Sequence, residues 1–191
     1  LVIHDAEDRP EADQIRKAAT VFRRSSPKLA CIQCALNYYN TEENFLTRMF
    51  TLEYTYWFDY LLPGLMARGL PIPLGGTSNH FRTDALEEVG GWDPFNVTED
   101  ADLGIRIVEY GYETQMLAST TYEEANNSLG NWIRQRSRWL KGYMQTALVH
   151  TRHPIELIRK IGFYETAGFG MMVWGSPIAL LLSPIMWGFF I

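Results

Sequence analysis

Thr98-Glu99-Asp100-Ala101-Asp102-Leu103-Gly104 follows the turn-like run Gly90-Gly91-Trp92-Asp93-Pro94 and opens an amphipathic segment that ends near Gly111. Thr98 stands where a helix N-cap is expected, which puts Glu99, Asp100 and Asp102 in the first turn. Carboxylates there complement the helix macrodipole, and that structural reading suffices for the stretch taken alone. The segments on either side give it a second reading, as a working acidic group at a helix start.

Just upstream lies Gly75-Gly76-Thr77-Ser78-Asn79-His80-Phe81-Arg82. The paired glycines permit close approach of another group. Gly76, Thr77, Ser78 and Asn79 offer backbone, hydroxyl and amide groups suited to a polyhydroxylated ligand, although an ordinary polar turn has the same composition. A short helix is expected over 83–89. Downstream, 113–118 reads as a returning strand, and Ser128 caps a helix that runs to about His150. Gln135, Arg138 and Trp139 stand at i, i+3 and i+4 and share one face. An amide, a guanidinium and an indole together can pair with a diphosphate and stack on a sugar ring. The structural alternative places Trp139 in the core with the other two at its rim.

Toward the N-terminus, residues 1–4 read as a short buried strand that ends at Asp5-Ala6-Glu7-Asp8. Carboxylates past the carboxyl end of a strand lie where open α/β sheets bind ligands, and their oxygens suit magnesium or manganese. They also suit an acidic turn before a helix over 10–25, with Pro10 in its first turn and Ile15, Ala18, Ala19 and Phe22 on its buried face. Residues 29–37 form a second strand. The pattern over 42–68 is a long helix with a broad aromatic stripe, kinked or ended at Pro63-Gly64.

The chain of 191 residues suits one domain, and its apolar start and end read as those of a segment cut from a longer protein. The net charge of -5 and the lack of a basic tail argue against nucleic acid as a partner. Cys31 and Cys34 supply only two ligands of a zinc site, so buried reduced thiols in a strand are expected. From Thr166 onward the last 26 residues carry no charge. At about 1.5 Å per residue, a helix of that length exceeds the roughly 30 Å of bilayer hydrocarbon. Arg134, Arg136, Arg138, Lys141, Arg152, Arg159 and Lys160 precede it, which by the positive-inside rule puts the globular part in the cytosol.

An acidic cluster after a strand, a Gly-Gly-Thr loop, Thr-Glu-Asp, Gln-x-x-Arg-Trp and then an apolar span occur here in an order that resembles the family 2 glycosyltransferases. The likeness is to their processive, cellulose-synthase-like membrane members. It implies an α/β fold of the GT-A type: an open sheet flanked by helices over 1–150, a basic interfacial junction over 151–165 and a transmembrane segment over 166–191. It implies that Asp5 and Glu7, with Asp8 as helper, hold a divalent cation on a nucleotide-sugar donor, expected to be a UDP-sugar. Asp100 would be the general base. Gly76, Thr77, Ser78, Asn79 and Glu99 would face a saccharide or glycolipid acceptor, with Trp139 as a stacking platform and Gln135 and Arg138 on the diphosphate or acceptor. The product expected is a β-linked polysaccharide made with inversion at the cytosolic membrane face, in contact with membrane lipid and a possible export subunit. Transfer of a single sugar to lipid and sugar binding without turnover are rivals, and metal-dependent phosphoryl transfer is a third that would use Asp5, Glu7 and Asp8 but leave Gln135, Arg138 and Trp139 unused. The resemblance also places a nucleotide-recognising half before Leu1, so activity is expected of the longer protein and not of this stretch alone.

Overall fold

The computed structural model describes residues 1–190. The N-terminal half holds strands β1 (Val2–Ile3) and β2 (Arg9–Pro10), helix α1 (Gln14–Arg24), strand β3 (Leu29–Tyr38) and helix α2 (Phe45–Thr55). A π-helical turn over Tyr56–Leu61 joins α2 to α3 (Leu62–Ala67), and β4 (Asn79–Phe81) and α4 (Thr83–Val89) follow. The C-terminal half holds α5 (Glu99–Glu109), β5 (Glu113–Glu123), α6 (Leu129–His150), α7 (Pro154–Ile161) and α8 (Phe163–Gly188).

The strands form one mixed sheet in the order β1-β4-β3-β5-β2, in which β3 and β5 are parallel and the other pairs antiparallel. Strand β3 is buried along nearly its whole length. Its near-continuous apolar run is what a central strand covered on both faces requires. Cys31 and Cys34 sit in it as buried free thiols, as the sequence implies. Gln33 is the polar exception. Its amide accepts from Gly75 N at 2.7 Å and donates to Thr77 O at 3.1 Å, so a core side chain staples the glycine loop.

Three local expectations change. Residues 9–10 form an edge strand on β5, with Pro10 opposite Thr121, and not the first turn of a helix. Proline is tolerated at an edge, where no ladder hydrogen bond is lost. Helix α1 then starts at Gln14, and it is turned so that Ile15 and Ala19 face solvent while Gln14 and Ala18 are buried. The rotation follows the Gln14 amide, which donates to Ser119 Oγ and Thr121 Oγ1. Strand β1 is an edge strand with Leu1 and Val2 exposed, not a buried one.

The long helical pattern does not stop at Pro63. Proline lacks an N–H and crowds the carbonyl four residues back, here that of Asp59. The wide turn over Tyr56–Leu61 contains that carbonyl, so the helix absorbs the proline by loosening its ladder. Leu62 and Leu65 then reach the core beside Leu36 and Met116.

Helix α8 is long and apolar enough to cross a membrane, and most of it is not buried by the rest of the chain. It begins at Phe163, inside the segment expected to be the junction, and runs through Pro177 and Pro184. Gly168, Phe169 and Val173 pack it inward. Ile191, the last residue of the expected membrane segment, lies outside the described residues.

Candidate active site

The carboxyl ends of the parallel strands β3 and β5 open into a cleft of about 350 Å³. A larger cavity of about 620 Å³ lies at their opposite ends, near Leu29 and Glu113, away from the carboxylates that can do chemistry. The cleft is where ligands of open α/β sheets bind.

Asp100 lines it from the first turn of α5. Trp92 Nε1 donates to its Oδ1 at 3.3 Å. Its Oδ2 faces Gly76, where an added Cβ would stand 3.3 Å away. Burial pushes this carboxyl up to about 7, helped by the negative charges of Glu99 and Asp5 and opposed by the indole N–H. Two residues on, Asp102 points the other way. Burial works against its charge, but His150 and Arg106 hold the carboxyl below the usual range. Thr98 occupies the N-cap position without capping. Its side chain instead enters the notch at Gly142 of α6, beside the Asn96 Nδ2 to Thr146 Oγ1 bond of 2.9 Å.

The acidic turn divides. Asp5 lines the cleft, and Glu7 is exposed. Asp8 is turned inward: its Oδ2 accepts from the Thr77 hydroxyl and from Asp5 N at 2.8 Å, while its Oδ1 is buried with no hydrogen-bond partner among the described residues. Among the described residues no group of three or more His, Cys, Asp or Glu side chains is gathered closely enough to hold an ion alone. Burial, then the charges of Asp8 and Glu7, raise Asp5 above its ordinary range.

The glycine loop also divides. Gly76 and Thr77 border the cleft, whereas Ser78 and Asn79 are buried. Ser78 Oγ is bonded to Thr121 Oγ1 at 2.6 Å and to Gln14 Oε1 at 3.1 Å, and Asn79 Nδ2 donates to Gly75 O at 2.6 Å. The Ser78 hydroxyl and the Asn79 amide nitrogen are thus engaged within the protein, and Asn79 Oδ1 is buried without a partner among the described residues. Ser78 is held at φ 59, a left-handed conformation that this bonding sustains in a non-glycine residue.

From α6 the cleft takes Gln135, Arg136, Trp139 and Tyr143. Arg138 is exposed and lies off that wall. The Arg136 guanidinium grips Glu53 of α2 with two bonds of 2.7 and 2.5 Å and covers the Trp139 ring at 4.7 Å. Opposite stand Tyr54 and Trp57, and Ser176 of α8 reaches the rim. Glu123, at the end of β5, completes the floor. Burial and the charges of Asp8, Asp5 and Glu7 push it up to about 8. Glu53, Trp57, Glu123, Arg136 and Tyr143 are not among the residues expected from the motifs. The α6 set had a signal: 132, 135, 136, 139 and 143 follow one helical stripe, and 138 does not.

Helices around a mixed sheet, with buried carboxyls and an aromatic wall at the ends of the parallel strands, define an α/β domain of the GT-A type. The profile of the Glycosyl transferase family group 2 matches residues 1–191, and the chain belongs to that family. It is 27% identical over 175 residues to glucomannan 4-beta-mannosyltransferase 9 of Arabidopsis thaliana, covering 91% of this chain and 31% of that protein. It is 26% identical over 162 residues to the probable glycosyltransferase YdaM of Bacillus subtilis (strain 168), covering 84% of this chain and 38% of the other. The chain thus spans about a third of the length of these curated relatives. Its fold matches the solved mannosyltransferase PcManGT from Pyrobaculum calidifontis in complex with GDP-Man and Mn2+. There the TM-score is 0.54 at 16% identity, over 97% of this chain and 57% of that one.

Proposed function

We propose that the protein containing this chain is a membrane-bound, inverting, metal-dependent glycosyltransferase that extends a β-linked polysaccharide from a nucleotide-sugar at the cytosolic membrane face. The observation that carries this reading is the Asp100 carboxyl, pushed up to about 7 inside a cleft walled by Trp139, Trp57 and Tyr143. A base with its pKa near working pH is ionised often enough to act and basic enough to take a proton. Asp100 accepts the proton of the acceptor hydroxyl as the acceptor oxygen attacks the anomeric carbon. Direct displacement inverts that carbon. Trp139, held under the Arg136 guanidinium, offers its ring to the acceptor sugar, and Gln135 offers its amide beside it.

Asp5 fits a cation ligand, since its carboxyl lines the cleft near the negative charges of Asp8 and Glu7, which His4 offsets only in part. Exposed Glu7 is the second candidate, while Asp8 has its Oδ2 committed to the turn and only its buried Oδ1 without a partner. A divalent cation bound there supplies positive charge to the departing diphosphate. The relatives named as mannosyltransferases, and the fold match solved with GDP-Man and Mn2+, are the reason to test GDP-mannose as donor beside the UDP-sugars and manganese beside magnesium.

The test uses the full-length protein in membranes, supplied with radiolabelled GDP-mannose or UDP-sugars and either ion, next to an Asp100→Asn control. Long product that vanishes in the control supports the reading, and undiminished transfer by Asp100→Asn sinks it. The contribution of α8 to the rim through Ser176 favours a second reading, in which the acceptor is a membrane lipid. A single added sugar on lipid would select it.

A further inference from the structure

We propose that Trp92 is a positioning residue for Asp100: its indole N–H holds Oδ1, so that Oδ2, beside Gly76, is the oxygen that takes the acceptor's proton. The inference rests on the reading of Asp100 as the base and adds a residue and an atom to it.

The geometry begins two residues earlier. Gly90 and Gly91 have φ of 88 and 65 degrees, and a pair of left-handed residues in succession is a conformation that favours glycine. Gly90 ends α4, and the double turn brings Trp92 back against Phe81 of β4, edge to face, with ring centroids 5.4 Å apart. The indole packs on the buried cluster formed by Phe81, Ala85 and Leu103, which fixes the direction of its N–H. That N–H reaches Asp100 Oδ1 at 3.3 Å from a different element than the one Asp100 stands on. Among the described residues it is the one side chain hydrogen-bonded to this carboxyl. Without it the carboxyl keeps only the bond to its own backbone N–H, and no neighbouring element selects which oxygen faces the cleft.

Gly76 supplies the other half of the arrangement. A Cβ there would stand 3.3 Å from Oδ2, in the space the acceptor hydroxyl needs. The step then balances as follows. The acceptor O–H proton moves to Oδ2, and the acceptor oxygen bonds to the anomeric carbon. The bond from that carbon to the diphosphate breaks, and its electron pair leaves with the nucleotide. Holding the receiving oxygen in line is a contribution of orientation. The indole N–H also favours the ionised carboxyl, against the burial that opposes it.

The experiment compares the complete wild-type protein with Trp92→Phe, Trp92→Gln, Phe81→Leu and Asp100→Asn, with kcat/KM for transfer measured from about pH 5 to about pH 9. Trp92→Phe keeps a ring against Phe81 and loses the donor. A hydrogen bond to a charged group is strong enough that its loss should slow kcat on the order of tenfold and raise the acid limb by roughly half a unit to one unit. The KM for donor should stay unchanged. Trp92→Gln, a donor without the ring, should recover part of the rate. Phe81→Leu should lower the melting temperature and, because the donor remains, move the limb less than Trp92→Phe does. An unmoved limb in Trp92→Phe, equal rates in the Phe and Gln variants, or a limb moved as far by Phe81→Leu would each overturn the proposal. An active Asp100→Asn enzyme overturns the base assignment and this inference with it. An inactive one beside an unmoved Trp92→Phe limb overturns the positioning role alone.

Discussion

The Thr98 side chain occupies the space that a side chain on Gly142 would need: an added Cβ there would stand 2.6 Å from Thr98 Oγ1 and 2.9 Å from Thr98 Cβ. The contact joins the start of α5, which carries Asp100, to α6, which carries Gln135, Arg136 and Trp139. The two motifs that looked separate in the sequence are therefore packed into each other, and the distance between base and aromatic platform is set by a missing methyl group.

Gly142→Ala should test this joint directly. Alanine favours a helix by up to about 1 kcal/mol over glycine, but the overlap with Thr98 forces the helices apart. We expect a net loss of about 1–3 kcal/mol of stability, with lower transfer activity. Thr98→Ala in the same chain should restore part of the melting temperature, a coupling that a double-mutant cycle measures.

Asp100 predicts two opposite pH trends. Transfer should rise with pH through about 7 as the base ionises, and fall by two to four orders of magnitude, flat with pH, in Asp100→Asn. Stability runs the other way. The folded carboxyl keeps its proton to about 7 while the unfolded one releases it near 3.8, so the folded state loses stability as pH rises across that interval. Asp100→Asn removes the cost and should be more stable than wild type above the interval, by of order 1–2 kcal/mol in denaturant melts.

His150 predicts a stabilising charge. Its Nε2 lies 2.8 Å from Asp102 Oδ1 and its Nδ1 2.8 Å from Glu109 Oε1, with Arg106 on Asp102 and Lys160 near Glu109. Burial works to lower the imidazole, but the two carboxylates override it and raise it to about 9. Its contribution is complete below 6.5 and is lost as pH rises through about 9. His150→Ala leaves two carboxylates facing each other and should cost about 3–5 kcal/mol at neutral pH, less in alkaline melts.

The acidic turn should separate by role. Asp5→Asn should weaken manganese-dependent binding of nucleotide-sugar by at least tenfold in calorimetry, as loss of a metal ligand does. Asp8→Asn should leave that affinity nearly intact and lower the melting temperature, because it weakens the bond to the Thr77 hydroxyl. Equal losses of metal dependence in both would contradict the division.

The elements that carry chemistry were legible because their signals are local. The buried run of β3, the start of α5 and the length of α6 each follow from a few neighbouring residues. What was not legible depends on which way a side chain turns once the elements meet. Ser78 reads as a ligand donor until Gln14 and Thr121 arrive from a distant helix and strand to satisfy it, and Asn79 until its amide turns back onto Gly75 O of the same loop. Arg138 shares a face with Gln135, yet the cleft lies on the face that includes Arg136, chosen by Glu53 on α2. Glu123 was out of view because β5 runs on to Glu123, past the 113–118 span that the pattern suggests.

The π turn at Tyr56–Leu61 is slack in the chain. It stores one residue more than a regular helix would use, ahead of Leu62 and behind Trp57. Deleting Tyr60, which is 68% exposed, would close the ladder into a regular helix and leave Leu62 and Leu65 facing the core and Trp57 facing the cleft. The cost would fall on Pro63, whose ring would then meet the carbonyl of a tightened turn. The proline, and not the facing of the side chains, is what holds the number of residues here.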